Sequence, residues 1–523
     1  MTFLGELRPY QNQAKALILQ RERALLALDL GTGKTIVSLA AIEELREEGK
    51  VECALLIMSS SLTVQWAERI GQFTDSSVIV VDASSSPKKR LSILEAALNQ
   101  RPDYVVMGIR QAVSDMTFIR KLKPEFVLVD EVTSIKNFGS QQSKAIKKLD
   151  SRFKVGLTAD PIENGKAEEL YSIFQWIDPE LFGHWSSFDE YYIIRSAGNF
   201  PVGYKNMDEM HALLMTACIS KRRTDPDVAE FMPTVEEYNV YVEMDNDTAV
   251  LYRSIAREIL QALFAAGPRA HAELSSYYAG RKGLDDSSDL GTIGSRILGA
   301  TLLLDSPVLL RASGDSYNDP ERAGGSRYAS DLLRAGRVPS EGSYGAKLEA
   351  CVELASEYLE EDPRHKVIIF TKYRGMLPLL TQGLEQYGSV QFHGGLNGTQ
   401  RGESIQRFTD DAEVRLFISS DAGGYGVDLF AASHLINYDL PNSSGAAKQR
   451  NGRHVRASSI FRRVFIDNLI MRDSIEEYQL SRLSYKNEVA RAAMTGQMSD
   501  PTGTVSNEGK SLTKFLETYL KDI

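Results

Sequence analysis

An apolar run, Ala24 to Leu28, is followed at once by Gly31-Thr32-Gly33-Lys34-Thr35 and then by a helical pattern rich in Ala, Leu and Ile. This order constrains the chain more than any other feature, because a buried strand that turns on glycines into a helix is a unit of parallel α/β architecture. The same stretch implies a chemistry. Glycines let successive backbone N–H groups wrap phosphate oxygens, and the helix N-terminus adds a favourable dipole. Lys34 can then meet the β and γ phosphates, and the Thr35 hydroxyl can hold magnesium. The strict pattern has a glycine where this chain has Leu28, so the loop alone is a partial match.

A second signal completes it. Phe126 to Val129 reads as a buried strand ending in Asp130 and Glu131. A carboxylate at a strand tip can join a magnesium shell, which suits Asp130, and its neighbour Glu131 can orient or deprotonate an attacking water. Alone, two acids after an apolar strand are equally well explained by a solvated turn. Together with the loop they point to nucleotide hydrolysis.

Further apolar runs set the architecture: Ala54 to Met58, Val78 to Val81 and Tyr104 to Met107, then Val367 to Phe370, Val414 to Ile418, His434 to Tyr438 and Val464 to Ile466. Two α/β units with parallel sheets are expected, with helical protrusions between them. The expected division is a first lobe over 1–240 with a protrusion over about 165–232, a helical protrusion and linker over 241–345, a second lobe over 346–485, and a tail over 486–523. Ser313 to Gly345 is expected to be a long loop. The pattern fades after Asn487, and Leu512, Phe515, Leu516, Tyr519 and Leu520 suggest one short helix that docks back.

Composition narrows the partners. A net charge of -10 argues against coating nucleic acid through bulk positive charge, though it leaves room for a local basic track. Cys53, Cys218 and Cys351 lie far apart and the 7 histidines form no ligand-spaced cluster, so no zinc site is expected. No apolar run reaches the roughly 18 residues that span a bilayer, and no secretory pattern opens the chain, so no membrane association and a cytoplasmic location are expected.

Longer motifs carry a resemblance. Asp130 to Asn137 reads DEVTSIKN, and Gly156 to Asn164 reads GLTADPIEN. Leu7 to Gln11 reads LRPYQ, Ser61 to Trp66 reads SLTVQW, and Lys221-Arg222-Arg223 forms a basic run. Ile297 to Leu310 is leucine-rich and contains a proline, Asp421 to Leu429 reads DAGGYGVDL, and Gln449 to Arg456 reads QRNGRHVR. In these segments, over most of residues 1 to 480, the chain resembles the Swi/Snf-like DNA translocase branch of superfamily-two helicases, in its compact bacterial or phage form.

The resemblance implies two RecA-like lobes that close on one ATP with Mg2+. It places Arg8, Gln11, Gly31, Thr32, Gly33, Lys34, Thr35, Gly426 and Asp428 at the nucleotide, with Thr35 and Asp130 at the metal. Lys34, Asp130, Glu131, Gln449, Arg453 and Arg456 become the catalytic set. A guanidinium brought by the opposite lobe neutralises the departing phosphoryl group only on closure. Ser61, Trp66, Lys136, Lys144, Thr371, Lys372 and Ser419 are expected to contact a nucleic-acid backbone, and Thr158 to couple the two sites. The implied partner is double-stranded or branched DNA, the implied state a monomer, and the implied setting repair, recombination or replication in a bacterial or phage-infected cell.

The chain departs from the family at Val132-Thr133, where Ala-His is usual, and at Ala159-Asp160, where Gly-Thr is usual, which bears on coupling rather than hydrolysis. Two alternatives to duplex translocation stay open: a strand-separating or branch-migrating helicase, and a nucleic-acid-binding scaffold whose motor is disabled.

Overall fold

The computed structural model describes residues 3–60, 62–81, 86–196, 199–277, 289–319, 321, 324–339, 342–421, 428–456, 459–496, 505–506 and 512–521. The chain divides into two units, Met1–Met232 with Lys486–Ser506, and Pro233–Tyr485 with Asn507–Ile523. No described helix is long and apolar enough to cross a membrane.

Among the described residues the first unit holds a seven-stranded sheet. Its strands are β1 (Arg23–Leu28), β2 (Ala54–Met58), β3 (Val78–Val81), β4 (Tyr104–Gly108), β5 (Phe126–Val129), β6 (Phe153–Thr158) and, after a small hairpin, β9 (Cys218–Lys221). All pair in parallel, in the order β3-β4-β2-β5-β6-β1-β9. β2, β4, β5 and β6 are buried at every residue, as expected of strands covered on both faces. The hairpin is β7 (Ile193–Arg195) and β8 (Pro201–Tyr204), extended by antiparallel β16 (Val505–Ser506). β7 and β8 lie in the stretch expected to be a helical protrusion, which also holds a packed group of Tyr171, Trp185, Phe188 and Tyr192.

The second unit holds a parallel six-stranded sheet, in the order β10-β15-β14-β11-β13-β12, among the described residues. Its strands are β10 (Thr234–Val242), β11 (Val367–Thr371), β12 (Gly388–Phe392), β13 (Val414–Ser420), β14 (His434–Asn437) and β15 (Arg463–Met471). The boundary expected at 240 therefore moves to 232, because β10 runs in register with β15 from Thr234 opposite Arg463 to Val242 opposite Met471. β10 is an edge strand with exposed Glu and Tyr side chains, so it lacks the apolar run that marks a central strand.

Two other expectations change. The loop expected over Ser313 to Gly345 contains the end of the helix Pro307–Asn318 and the helix Arg327–Arg334, whose Ser326 cap accepts the Ala329 N–H at 3.4 Å. The helix Ile475–Thr495 also continues beyond Asn487, with Val489, Ala490, Ala492 and Ala493 buried. The short terminal helix, Leu512–Lys521, does dock: Leu512 and Leu516 are buried, and Tyr519 meets Tyr252 at 5.7 Å between ring centres.

A buried charge cluster anchors the second unit. Lys347, fully buried at the start of the helix Ala346–Glu361, donates to Asp305 at 2.9 Å and to Glu476 at 2.5 Å. Glu476 in turn accepts the Met471 N–H at 2.8 Å. Burial acts to lower the Lys347 amine, yet the two carboxylates hold it above its ordinary value.

Candidate nucleotide site

The helix Lys34–Glu47 begins directly after Gly33, and Gly31 and Gly33 have φ of 81° and 91°, conformations open to glycine at little cost. A side chain at Gly33 would also strike Gln11, since a Cβ there would lie 2.4 Å from Gln11 Nε2. The loop is braced from beneath. The Thr32 hydroxyl donates to Asp29 O at 2.6 Å, and Thr32 O accepts from the Tyr10 hydroxyl at 2.8 Å and from Gln11 Nε2 at 2.9 Å. Gln11 Oε1 accepts the Arg8 N–H at 2.9 Å, so both ends of this amide are engaged in fixing the loop. The Arg8 guanidinium stacks 4.1 Å over the Phe231 ring.

Lys34 Nζ donates to Leu28 O at 2.8 Å and Asp29 O at 3.4 Å, so its ammonium lies back along its own loop. The pairing of β1 with β9 delivers the basic run to the same place: the Arg223 N–H donates to Asp29 Oδ2 at 2.9 Å.

Asp130 sits just past β5 with both carboxylate oxygens held. Trp66 Nε1 donates to Oδ2 at 2.9 Å and the Glu131 N–H to Oδ1 at 3.0 Å. Burial raises the Asp130 carboxyl above its ordinary value, opposed by the Trp66 N–H and the Lys34 charge. Glu131 adopts φ 49°, a left-handed conformation that costs a non-glycine residue roughly 1–2 kcal/mol. The amine of Lys34, the hydroxyl of Thr35 and the carboxylate of Asp130 form a donor set that suits a polyphosphate with a hard divalent cation.

One departure from the family pattern, Thr133, meets the segment that follows β6. The Thr133 hydroxyl donates to Glu163 Oε1 at 2.9 Å, and Lys136 forms an ion pair with Glu163 Oε2. Burial lowers the Lys136 amine, opposed by Glu169, Asp160 and Glu131. The buried Thr158 hydroxyl accepts the Asp160 N–H at 3.1 Å, and the Asn164 N–H closes the segment onto Glu169 at 3.0 Å.

In the second unit the helix Ser444–Asn451 carries half-buried Gln449, and Ser443 caps it by accepting the Ala446 N–H at 3.1 Å. Arg450, which sequence reasoning passed over, is the structural centre of this motif. It donates to Asp421 Oδ1 at 2.6 Å, Asp439 O at 2.7 Å and Asp439 Oδ1 at 3.1 Å. Burial works to raise the Asp439 carboxyl, but Arg450 and Lys372 hold it below the ordinary range. Two nitrogens of Arg456 converge on one oxygen of Asp428, Nε at 2.7 Å and Nη2 at 2.6 Å from Oδ1. Its third nitrogen, Nη1, is buried with no hydrogen-bond partner among the described residues. Arg453 is 5% exposed, and its carbonyl accepts the Leu429 N–H at 2.9 Å.

Three of the residues expected to contact nucleic acid are buried in this structure. Trp66 is 3% exposed and directed at Asp130, and Thr371 is fully buried with its hydroxyl donated to Asp439 Oδ2 at 2.8 Å. Ser419 is equally buried, its hydroxyl donated to Ser420 O at 3.1 Å. None of the three offers a polar atom to solvent, because each is packed at or beside a strand end. Lys144 is exposed and Lys372 half-exposed, whereas Lys136 is tied to Glu163. Ser61 and Gly426, with the rest of the 422–427 run, lie outside the described residues.

The chain matches the SNF2-related domain over residues 10–283 and the helicase conserved C-terminal domain over residues 346–458. It is 25% identical over 484 residues to YwqA of Bacillus subtilis (strain 168), whose name assigns it to the ATP-dependent helicases and translocases. That alignment covers 91% of this chain and 47% of the relative. It is 23% identical over 492 residues to the ISWI chromatin-remodeling complex ATPase ISW1 of Saccharomyces cerevisiae, covering 92% and 40%. The chain thus spans less than half the length of these curated relatives. In fold it is similar to the Hef helicase domain of Pyrococcus furiosus, with TM-score 0.53, 17% identity and coverage of 92% of this chain and 100% of that one. With more than half of its residues matched to one domain and the second unit matched to the domain that accompanies helicase cores, the chain belongs to the SNF2-related family.

Proposed function

We propose that the chain is an ATP-driven motor that tracks along double-stranded DNA. The observation that carries this reading is the Asp130 carboxylate, half-buried and doubly held beside the Lys34 loop, in a family whose relatives are named as ATP-dependent helicases and translocases. Backbone N–H groups of Gly31 to Lys34 and the Lys34 amine bind the phosphates, the amine exchanging its loop carbonyls for phosphate oxygens. Thr35 and Asp130 would hold Mg2+, which neutralises charge on the phosphates when bound. Glu131 takes the proton of the attacking water at its carboxylate. Arg453 and Arg456 supply guanidinium groups to the γ-phosphoryl when the two units close, with Gln449 positioning the water, so hydrolysis is tied to motion.

Grip on DNA comes from Lys144 and Lys372, through phosphates that carry no sequence information. Binding is therefore sequence-independent and weakens steeply with salt. Repair, recombination or replication is the proposed setting.

The test is phosphate release with no DNA and with single-stranded, duplex, forked and four-way DNA. Duplex is expected to stimulate hydrolysis most, and Lys34→Ala and Arg453→Ala to abolish it in folded protein. Absence of stimulation by any DNA sinks the reading; preference for forks with displaced strands favours a strand-separating helicase instead.

A further inference from the structure

The second unit brings together three metal-ligand side chains that the nucleotide chemistry does not use. Glu361 ends the helix Ala346–Glu361, His365 follows four residues later, and His434 opens β14. One ligand atom of each lies within 4.8 Å of the others. Spacing along the chain hid this cluster, because the two histidines are far apart in sequence and meet only through the fold.

The geometry of the rings fits a shared ion. The imidazoles of His365 and His434 meet edge to face, with centres 4.8 Å apart and planes at 66°. Two imidazole nitrogens at about 2.1 Å from one divalent ion, at an angle of roughly 100°, place the ring centres about 5 Å apart. The Nδ1 atoms already have partners: His365 Nδ1 faces the Tyr358 carbonyl at 3.1 Å, and His434 Nδ1 faces the Ser433 hydroxyl at 2.8 Å. The Tyr358 carbonyl can only accept, so it sets the proton of His365 on Nδ1 and leaves Nε2 to present its lone pair, while the Ser433 hydroxyl can accept from His434 Nδ1 in the same way.

His434 is also fixed in orientation, stacked between Tyr358 at 3.9 Å and Phe465 at 4.8 Å. Glu361 is exposed, its carboxylate lies 3.9 Å from His365 Nδ1, and one ligand atom of each of the three residues stays within 4.8 Å of the others.

We propose that Glu361, His365 and His434 bind one transition-metal ion of the zinc, cobalt or nickel class, pinning the end of the helix Ala346–Glu361 to the start of β14. Two imidazoles and one carboxylate select such ions over magnesium, and water fills the remaining positions. The site stands apart from the residues proposed to hold ATP, so its success or failure is independent of the motor reading.

The test uses the full chain without a polyhistidine tag, stripped with chelator and free of nucleotide. Titration with Co2+ is expected to give a visible d–d absorption that saturates at one equivalent and survives excess Mg2+. Glu361→Gln alters only an exposed side chain and is expected to weaken Co2+ binding about tenfold or more. His434→Phe keeps the stacking and is expected to abolish the band. Zinc should raise the melting temperature of the wild-type protein but not of His434→Phe. Absence of a one-equivalent band in the wild type overturns the proposal, as does a band unchanged in Glu361→Gln and His434→Phe.

Discussion

The indole N–H of Trp66 is donated to Asp130 Oδ2 across 2.9 Å, so a residue of the helix Thr63–Phe73 orients the carboxylate beside the phosphate loop. Trp66→Phe retains an aromatic ring and removes the donor. A hydrogen bond to a charged group contributes about 1.5–3 kcal/mol, so loss of stability in that range is expected. Because the proposed metal ligand loses its orientation, the Mg2+ concentration for half-maximal hydrolysis is expected to rise several-fold, while nucleotide affinity without Mg2+ stays the same. An unchanged Mg2+ dependence in the folded variant would remove Trp66 from any positioning role.

Glu163 links the segment after the two acids to the segment after β6 by accepting from Thr133 and pairing with Lys136. Glu163→Ala leaves a mostly buried ammonium without this anion. If the bridge replaces the family's usual coupling residues, basal ATP hydrolysis should persist and the stimulation by duplex DNA should fall about tenfold. The ratio of stimulated to basal rate is the measurement, and equal loss of both rates would argue for a purely structural bridge.

Asp467 gives a signed pH dependence. Burial raises its carboxyl from 3.8 to about 6, opposed by the Tyr358 hydroxyl that donates to it at 3.0 Å. The folded state keeps this proton where the unfolded chain has released it. The group's contribution is therefore complete below about pH 4 and is lost as pH rises through 6. Asp467→Asn, which cannot ionise, should gain on the wild type across that window, by on the order of 1–3 kcal/mol at pH 8 relative to pH 4. Urea midpoints of both proteins at the two pH values check this, and a pH-independent difference contradicts it.

Lys347 is the cation between two buried carboxylates. Lys347→Met preserves bulk and strands both anions, which is expected to cost about 3–5 kcal/mol. Denaturant unfolding should show that loss, and adding Asp305→Leu should return part of it. The recovery should remain incomplete, because Glu476 stays buried without its cation.

What the sequence made legible follows from local physics. Ala54–Met58 and Phe126–Val129 match their strands end to end, since strands buried on both faces leave unbroken apolar runs. The phosphate loop and the acid pair were readable because their chemistry requires adjacent residues. Partners distant in sequence were not. Trp66 and Asp130, Thr133 and Glu163, and Arg450 and Asp421 meet only through strand order, and β10 stayed hidden because an edge strand needs no continuous apolar face.

The return of Lys486–Ser506 to the first unit, before the last helix rejoins the second, has a practical meaning for anyone dissecting the protein. A fragment cut at residue 232 lacks β16, leaving β8 without its outer neighbour, so the halves cannot be exchanged between homologues as simple cassettes. Chimeras that respect the weave, carrying residues 486–506 with the N-terminal piece, are the ones to build.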